Sequence, residues 1–317
     1  MIQPTVEQWQ AYLADSLADV LPDVGDLGPL PMQKLPTGKT HAVDGTLQIL
    51  VRDSRGDPTA VALCSAPASP GLVARGMRNA AAAKAALPAE LNAVILDPLF
   101  EGKLNDLSCA VLPHCRPLST RRIFRRVQRR FLQSPLLGWL RKITKLTVSA
   151  PDRSAIEGTF IAPLAALAAH EQIPNRLREL AQNSLEGLQG GQWAPLHVLA
   201  HNDLWYGNVL IDYRNASGRG DSPWRERFVV IDWPGAEVRG YPLLDLMTCC
   251  RSFGLAGQQL RTEVVQHCRY LNCDLDQARD YLLVAMGRIL TRLEHMPLPM
   301  FIRMADMNLQ LLASVGG

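Results

Sequence analysis

Apolar positions recur at steps of three and four over residues 5–21, where Val6, Trp9, Leu13, Leu17 and Val20 predict an amphipathic helix. A Pro/Gly-rich stretch from Leu21 to Pro36 interrupts the pattern. The segments Thr46–Arg52 and Thr59–Cys64 then read as strands flanking the turn signal Asp53-Ser54-Arg55-Gly56-Asp57-Pro58. Residues 72–87, rich in Ala, return to helical spacing, and Ala93–Leu96 and Ser108–Leu112 are two further strand candidates. Pro113–Pro117 marks a hinge. Beyond it, helical periodicity covers 119–132, 135–146, 156–170, 174–189, 243–253, 257–271, 275–293 and 299–314. One β island breaks that run, at Val209–Tyr213 and Phe228–Trp233. The pattern predicts an α+β chain in two lobes, a sheet-rich one over 1–113 and a helical one over 114–317.

Composition narrows the class. With 317 residues, 47 % of them hydrophobic, the chain can bury a real core, which excludes a disordered chain and a disulfide-stapled miniprotein. The seven cysteines lack a CxxC pair, so buried thiols are expected rather than a zinc site. The first residues lack the basic start and apolar run of a signal peptide, and no stretch approaches the about 18 apolar residues of a membrane span. A cytoplasmic location is expected. The net charge of +3 argues against a dedicated nucleic-acid binder, but it is a cancellation. Ten of the 33 basic residues and none of the 30 acids lie in 107–151.

The segment that carries chemistry is His201-Asn202-Asp203-Leu204-Trp205-Tyr206-Gly207-Asn208-Val209-Leu210-Ile211, followed by Val229-Val230-Ile231-Asp232-Trp233. An apolar run, Val198–Ala200, delivers His201 and Asp203 into a loop. Asn208 closes that loop just before one apolar strand, and a second apolar strand ends on Asp232. A hairpin of this kind brings Asn208 and Asp232 together beside Asp203. One carboxamide and one carboxylate suit Mg²⁺, whose octahedron phosphate and water can complete. Asp203 is then free to accept a proton from an attacking hydroxyl, which is the division of labour that phosphoryl transfer needs.

This ordered set resembles the aminoglycoside phosphotransferase / choline kinase superfamily, whose fold is similar to that of protein kinases. The resemblance is carried by 196–253 and extends over the helical lobe. It implies a nucleotide-binding lobe at 1–113 and a catalytic, acceptor-binding lobe at 114–317. It also implies Asp203 as catalytic base, His201 as a brace in the catalytic loop, Asn208 and Asp232 as Mg²⁺ ligands, and Asp245 as support for the loop backbone. The donor would be ATP or GTP and the acceptor a hydroxyl on a sugar, amino sugar or amino alcohol. Gly38 and Lys39, within Thr37-Gly38-Lys39-Thr40, and Pro113 are the candidates for nucleotide contact. Two departures stand out. Cys64 falls where such kinases carry a strand Lys, and Asn79 falls near their helix Glu, with Lys34, Lys39, Arg78 and Lys84 as substitute cations. Tyr241 replaces an acid in the stretch before Asp245. A pseudokinase binding module is the alternative that these departures raise.

Within the acid-free segment, Arg121, Arg122, Arg125, Arg126, Arg129 and Arg130 span one half of a helix, and Ile123, Phe124, Val127 and Phe131 the other. One reading is a solvated basic face with its apolar side in the core of the helical lobe. The other is a peripheral anchor for anionic lipid at the inner membrane face, as a kinase of a lipid-linked or lipopolysaccharide-type sugar would need. Nucleic acid is disfavoured, because the arginines are expected to lack interleaved exposed aromatics.

Overall fold

The computed structural model describes residues 3–21, 23–29, 46–212, 228–293 and 296–316. The expected nucleotide loop with Gly38 and Lys39, the cation Lys34, and Tyr213 with the polar connection after it lie outside them.

A capping box between Thr5 and Gln8 opens α1 (Val6–Leu17), which lays Trp9, Leu13 and Leu17 on the sheet. That sheet holds β1 (Leu27–Pro29), β2 (Leu47–Arg52), β3 (Pro58–Cys64), β4 (Phe100–Leu104) and β5 (Leu107–Pro113), antiparallel in the order β1-β2-β3-β5-β4. Alternation assigns its two faces. Ile49, Val51, Ala60, Ala62, Cys64, Cys109 and Val111 pack under α1. The opposite face carries Leu50, Val61, Leu63, Ser108, Ala110 and Leu112, and it meets α2 (Leu72–Ala85). Ser65 and Ser108 hydroxyls accept the N–H groups of Val73 and Ala74 and so cap that helix. Further along α2, Ala80 and Ala83 join the large C-terminal core, so this helix bridges the two halves.

Sequence and structure part at the strand expected over Ala93–Leu96. These residues follow the short α3 (Ala89–Asn92) as a turn, and Ile95 forms only an isolated parallel bridge to Val230 while burying its side chain. The strand that does pair with β5 is β4, Phe100-Glu101-Gly102-Lys103-Leu104. Asn105 and Asp106, both at positive φ, make the two-residue turn that right-twisted hairpins favour.

After the hinge come α4 (Arg122–Thr147), α5 (Arg153–Ile156), a π-turn at Glu157–Ile161, α6 (Ala162–Ala169) and α7 (Asn175–Gln189). The two helices expected at 119–132 and 135–146 are one, α4. Pro135 costs a single backbone bond, while Leu132, Leu136, Leu137, Leu140 and Ile143 keep a continuous buried line. The single helix expected at 156–170 is divided by the π-turn for a related reason. Pro163 has no N–H to offer the carbonyl of Thr159, and that carbonyl accepts the Tyr241 hydroxyl at 2.6 Å. The lobe closes with β6 (Val198–Ala200), β7 (Val209–Ile211), β8 (Phe228–Val230), β9 (Glu237–Gly240), α8 (Leu244–Phe253), α9 (Gly257–Leu271), α10 (Leu275–Leu290) and α11 (Leu298–Ala313). Six of the seven cysteines are buried, Cys64 among them.

The buried α10 lies against α6 so closely that a Cβ on Gly287 would meet the Pro163 carbonyl oxygen at 2.1 Å. Backbone cannot yield as a flexible side chain can. Gly287→Ala is therefore expected to cost at least about 2 kcal/mol of stability, read as a lowered urea midpoint. An unchanged midpoint would contradict this packing.

Candidate active site

The short strands β6 to β9 frame the described part of the 198–240 segment, and named contacts hold the loops 201–208 and 231–236 between them. β6 pairs with β9, and β7 with β8 in the register Val209↔Val230. The Ile231 N–H donates to the Asn208 carbonyl at 3.0 Å, which brings Asp232 alongside Asn208. Asp232 adopts a left-handed backbone, φ 69°, two residues beyond β8, which stops at Val230 short of the strand end expected at Trp233.

The loop between β6 and β7 is braced from below. His201 is buried, its backbone N–H donating to Asp245 Oδ2 at 2.6 Å. Its ring spans two partners. The Asp203 N–H donates to Nδ1 at 3.3 Å, while Nε2 lies 2.9 Å from the Ile231 carbonyl. Only the tautomer protonated at Nε2 satisfies both. Burial pushes the His201 pKa down to about 4, against the Ile231 carbonyl, so the ring is neutral near pH 7. Asp245 sits in the first turn of α8, where the helix dipole favours an acid. Burial raises its pKa to about 6, opposed by N–H groups of His201, Leu204 and Asn202. Both residues touch backbone rather than open solvent, so they position the loop.

Asp203 is exposed, yet protein crowds its carboxyl group on the remaining sides. That crowding, and then the charge of Asp232, push its pKa up, against a hydrogen bond from Asn208 that favours the ionised form. Asn208 is buried, and its Nδ2 donates both to the Asp203 carbonyl at 2.8 Å and to Asp203 Oδ2 at 2.9 Å. With its nitrogen so committed, Asn208 keeps Oδ1 as an acceptor. Asn208 Oδ1 and the Asp232 carboxylate form an oxygen-only pair, suited to a hard divalent cation that draws its other ligands from phosphate and water. Among the described residues no cluster of three or more His, Cys, Asp or Glu offers a metal site.

Several supports were not legible in the sequence. Asn79, expected near the position of a kinase helix Glu, donates instead to the carbonyls of Trp233 (3.3 Å) and Pro234 (2.9 Å), so α2 grips the chain just after Asp232. Asn202 donates to the Gly235 carbonyl at 2.8 Å on the other side of the same turn. Arg129 of α4 stacks its guanidinium 4.8 Å from the Tyr206 ring centre and donates to the Ser252 carbonyl. The Ser252 hydroxyl in turn accepts the Tyr206 N–H at 3.2 Å. Gly207 leaves room for the Trp205 ring, which a Cβ would meet at 2.4 Å.

The other expected residues fall elsewhere. Pro113 ends β5 opposite Ala60, and the segment after it is pinned to the β7–β8 pair by paired backbone bonds between Arg116 and Ile211. Cys64 faces the small core beneath α1, and Val61 and Leu63 occupy the other face of β3, so β3 offers no cation on either side. Of the described substitutes, Lys84 pairs with Asp97 and Arg78 is exposed. Tyr241 packs on Phe160 and His197. The expectation that Ile123, Phe124, Val127 and Phe131 enter the core is overturned: they are 77, 57, 47 and 51 % exposed. The line that α4 buries runs back from Leu136 and Leu132 through Arg129, whose anchorage on Tyr206 turns the apolar strip outward.

No protein-family model and no curated protein matches the chain. Solved structures do. An aminoglycoside 2′-phosphotransferase in complex with GDP aligns at a TM-score of 0.52 and 13 % identity, over 97 % of either chain. A choline/ethanolamine kinase family protein from Mesorhizobium loti aligns at 0.52 and 13 %, over 98 % of this chain and 95 % of that one. Choline kinase LicA from Streptococcus pneumoniae aligns at 0.50 and 13 %, over 96 % and 99 %. The chain therefore has the protein-kinase-like fold of these small-molecule kinases, as its motifs led one to expect.

Proposed function

We propose that the protein transfers the γ-phosphoryl group of ATP or GTP to a hydroxyl of a small molecule, a sugar, amino sugar or amino alcohol, with Asp203 as general base. The observation that carries this reading is the orientation of Asn208, whose amide nitrogen fixes Asp203 while its oxygen stays available beside Asp232. The whole-length likeness to small-molecule kinases supports it. The division into a nucleotide-binding lobe at 1–113 and an acceptor-binding lobe at 114–317 belongs to the same proposal.

In this mechanism Asp203 accepts the proton of the acceptor hydroxyl as its oxygen bonds to the γ-phosphorus. The bond from that phosphorus to the bridging oxygen breaks, and a nucleoside diphosphate leaves. Asn208 orients Asp203 and, with Asp232, would hold Mg²⁺, which supplies charge neutralisation on the phosphate oxygens. His201 and Asp245 keep the loop in register.

The apolar β3 favours one second reading, a module that binds nucleotide and transfers phosphoryl groups feebly. One experiment separates the two. Thermal unfolding with Mg²⁺ and each nucleotide is followed by diphosphate release over a panel of sugars, amino sugars and amino alcohols. A raised midpoint with acceptor-dependent release supports the enzyme. A raised midpoint with no release from any acceptor supports the module, and no midpoint shift with either nucleotide contradicts both.

A further inference from the structure

The outward strip of α4 has no role in the proposed chemistry, and its composition is unusual. Among the described residues, four of the nine exposed large hydrophobics, Ile123, Phe124, Val127 and Phe131, fall within nine consecutive positions. At about 100° per residue they share one flank of the helix, and Arg122, Arg126 and Arg130, all exposed, share the adjoining one. Among the described residues, none of these three arginines makes an ion pair. The segment has no acid of its own between Asp106 and Asp152. Towards the far end of α4, Lys142, Lys145 and Leu146 are exposed as well.

The neighbouring surface continues the charge. Arg261 and Arg269 of α9 line a shallow groove of about 270 Å³ whose other walls are Gln, Thr and Val side chains. A second groove, about 400 Å³ between α4 and α9, contains Arg130 and one acid, Glu263, which Arg141 already neutralises at 3.1 Å.

We propose that this face docks the protein on an anionic lipid bilayer. A helix with apolar side chains beside arginines, both turned to solvent, matches the boundary between acyl chains and acidic headgroups. Ile123, Phe124 and Val127 enter the acyl boundary, the arginines meet lipid phosphates, and the basic grooves of α9 face further headgroups. No described helix is long and apolar enough to cross a membrane, so the association is peripheral. A nucleic acid would answer the arginines and has bases to stack on the exposed Phe124 and Phe131, but it offers Ile123 and Val127 no apolar phase to enter, which a bilayer supplies. A second copy of the same face would set like charges against each other. Because Arg129 ties α4 to Tyr206 in the catalytic loop, docking holds that loop at a fixed place relative to the bilayer.

The test is flotation of the full chain with vesicles of phosphatidylcholine alone or with 30 % phosphatidylglycerol. Two variants accompany wild type, one with Arg122, Arg126 and Arg130 changed to Gln, the other with Ile123, Phe124 and Val127 changed to Ser. Arg129 is left intact. The changed side chains are exposed, so circular dichroism and unfolding midpoints are expected to match wild type. Wild type should float with the anionic vesicles and not with the neutral ones. The arginine variant should bind weaker by roughly fivefold per residue removed, about a hundredfold in all, and the serine variant should also lose binding. Wild type that ignores anionic vesicles overturns the proposal. So does binding that either folded variant retains in full, or duplex DNA that competes the protein off the vesicles while binding the serine variant as tightly as wild type. If one variant fails to fold, the other decides.

Discussion

Asp203→Asn is expected to lower kcat by roughly 10³-fold, the scale on which a positioned general base contributes. The substitution keeps an oxygen to accept the Asn208 amide bond and removes the capacity to take a proton. It also removes a charge that Asp232 and Asp245 disfavour, so stability should hold or rise slightly. Loss of activity without loss of stability sets a catalytic residue apart from a structural one. Steady-state rates with a responsive acceptor, beside unfolding midpoints, measure both. Activity within about tenfold of wild type would remove Asp203 from its assigned role.

The second large effect concerns Asp232. Asp232→Asn is the informative change, because asparagine tolerates the left-handed backbone at φ 69°, where alanine would add strain of its own. The variant keeps an oxygen donor and loses the negative charge. If Asp232 and Asn208 share a divalent cation, the rate falls by roughly 10²–10³-fold at low Mg²⁺. Part of that rate should return as Mg²⁺ is raised. Initial rates against Mg²⁺ concentration give the answer, and a curve superimposable on wild type would place the cation elsewhere.

The candidate-site hairpin was legible because each part is contiguous. Val198–Ala200, Val209–Ile211 and Phe228–Val230 are short apolar runs, and the residues at their ends follow from strand geometry. What escaped sequence reading depends on long-range contacts or on missing bonds. Asn79 reaches Pro234 across 155 positions, and no local pattern announces that contact. The β4 strand pairs through an Asn-Asp turn and contains Gly102 between two charges, so its alternation is weak. Along α4, helical spacing separates arginines from apolar residues correctly, but the inward side falls on Arg125 and Arg129, in line with Leu132 and Leu136, and leaves Arg122, Arg126 and Arg130 in solvent beside the apolar strip. The signal that could have been read is Pro163. Its missing N–H frees the Thr159 carbonyl, and Tyr241, which stands where an acid was expected, supplies the donor.

Cys64 illustrates a different limit. The family resemblance placed it at the position of a strand Lys, whereas strand alternation turns it into the core under α1. Both faces of β3 are apolar, so any cation that meets the nucleotide phosphates comes from another element.

The most direct measurement pairs calorimetric binding of Mg²⁺·nucleotide with acceptor-dependent diphosphate release, for wild type and Asp203→Asn side by side. Phosphoryl transfer through Asp203 requires comparable nucleotide affinity in both proteins, with release confined to wild type. Equal release from both, or nucleotide binding abolished by a change at Asp203 alone, would contradict it.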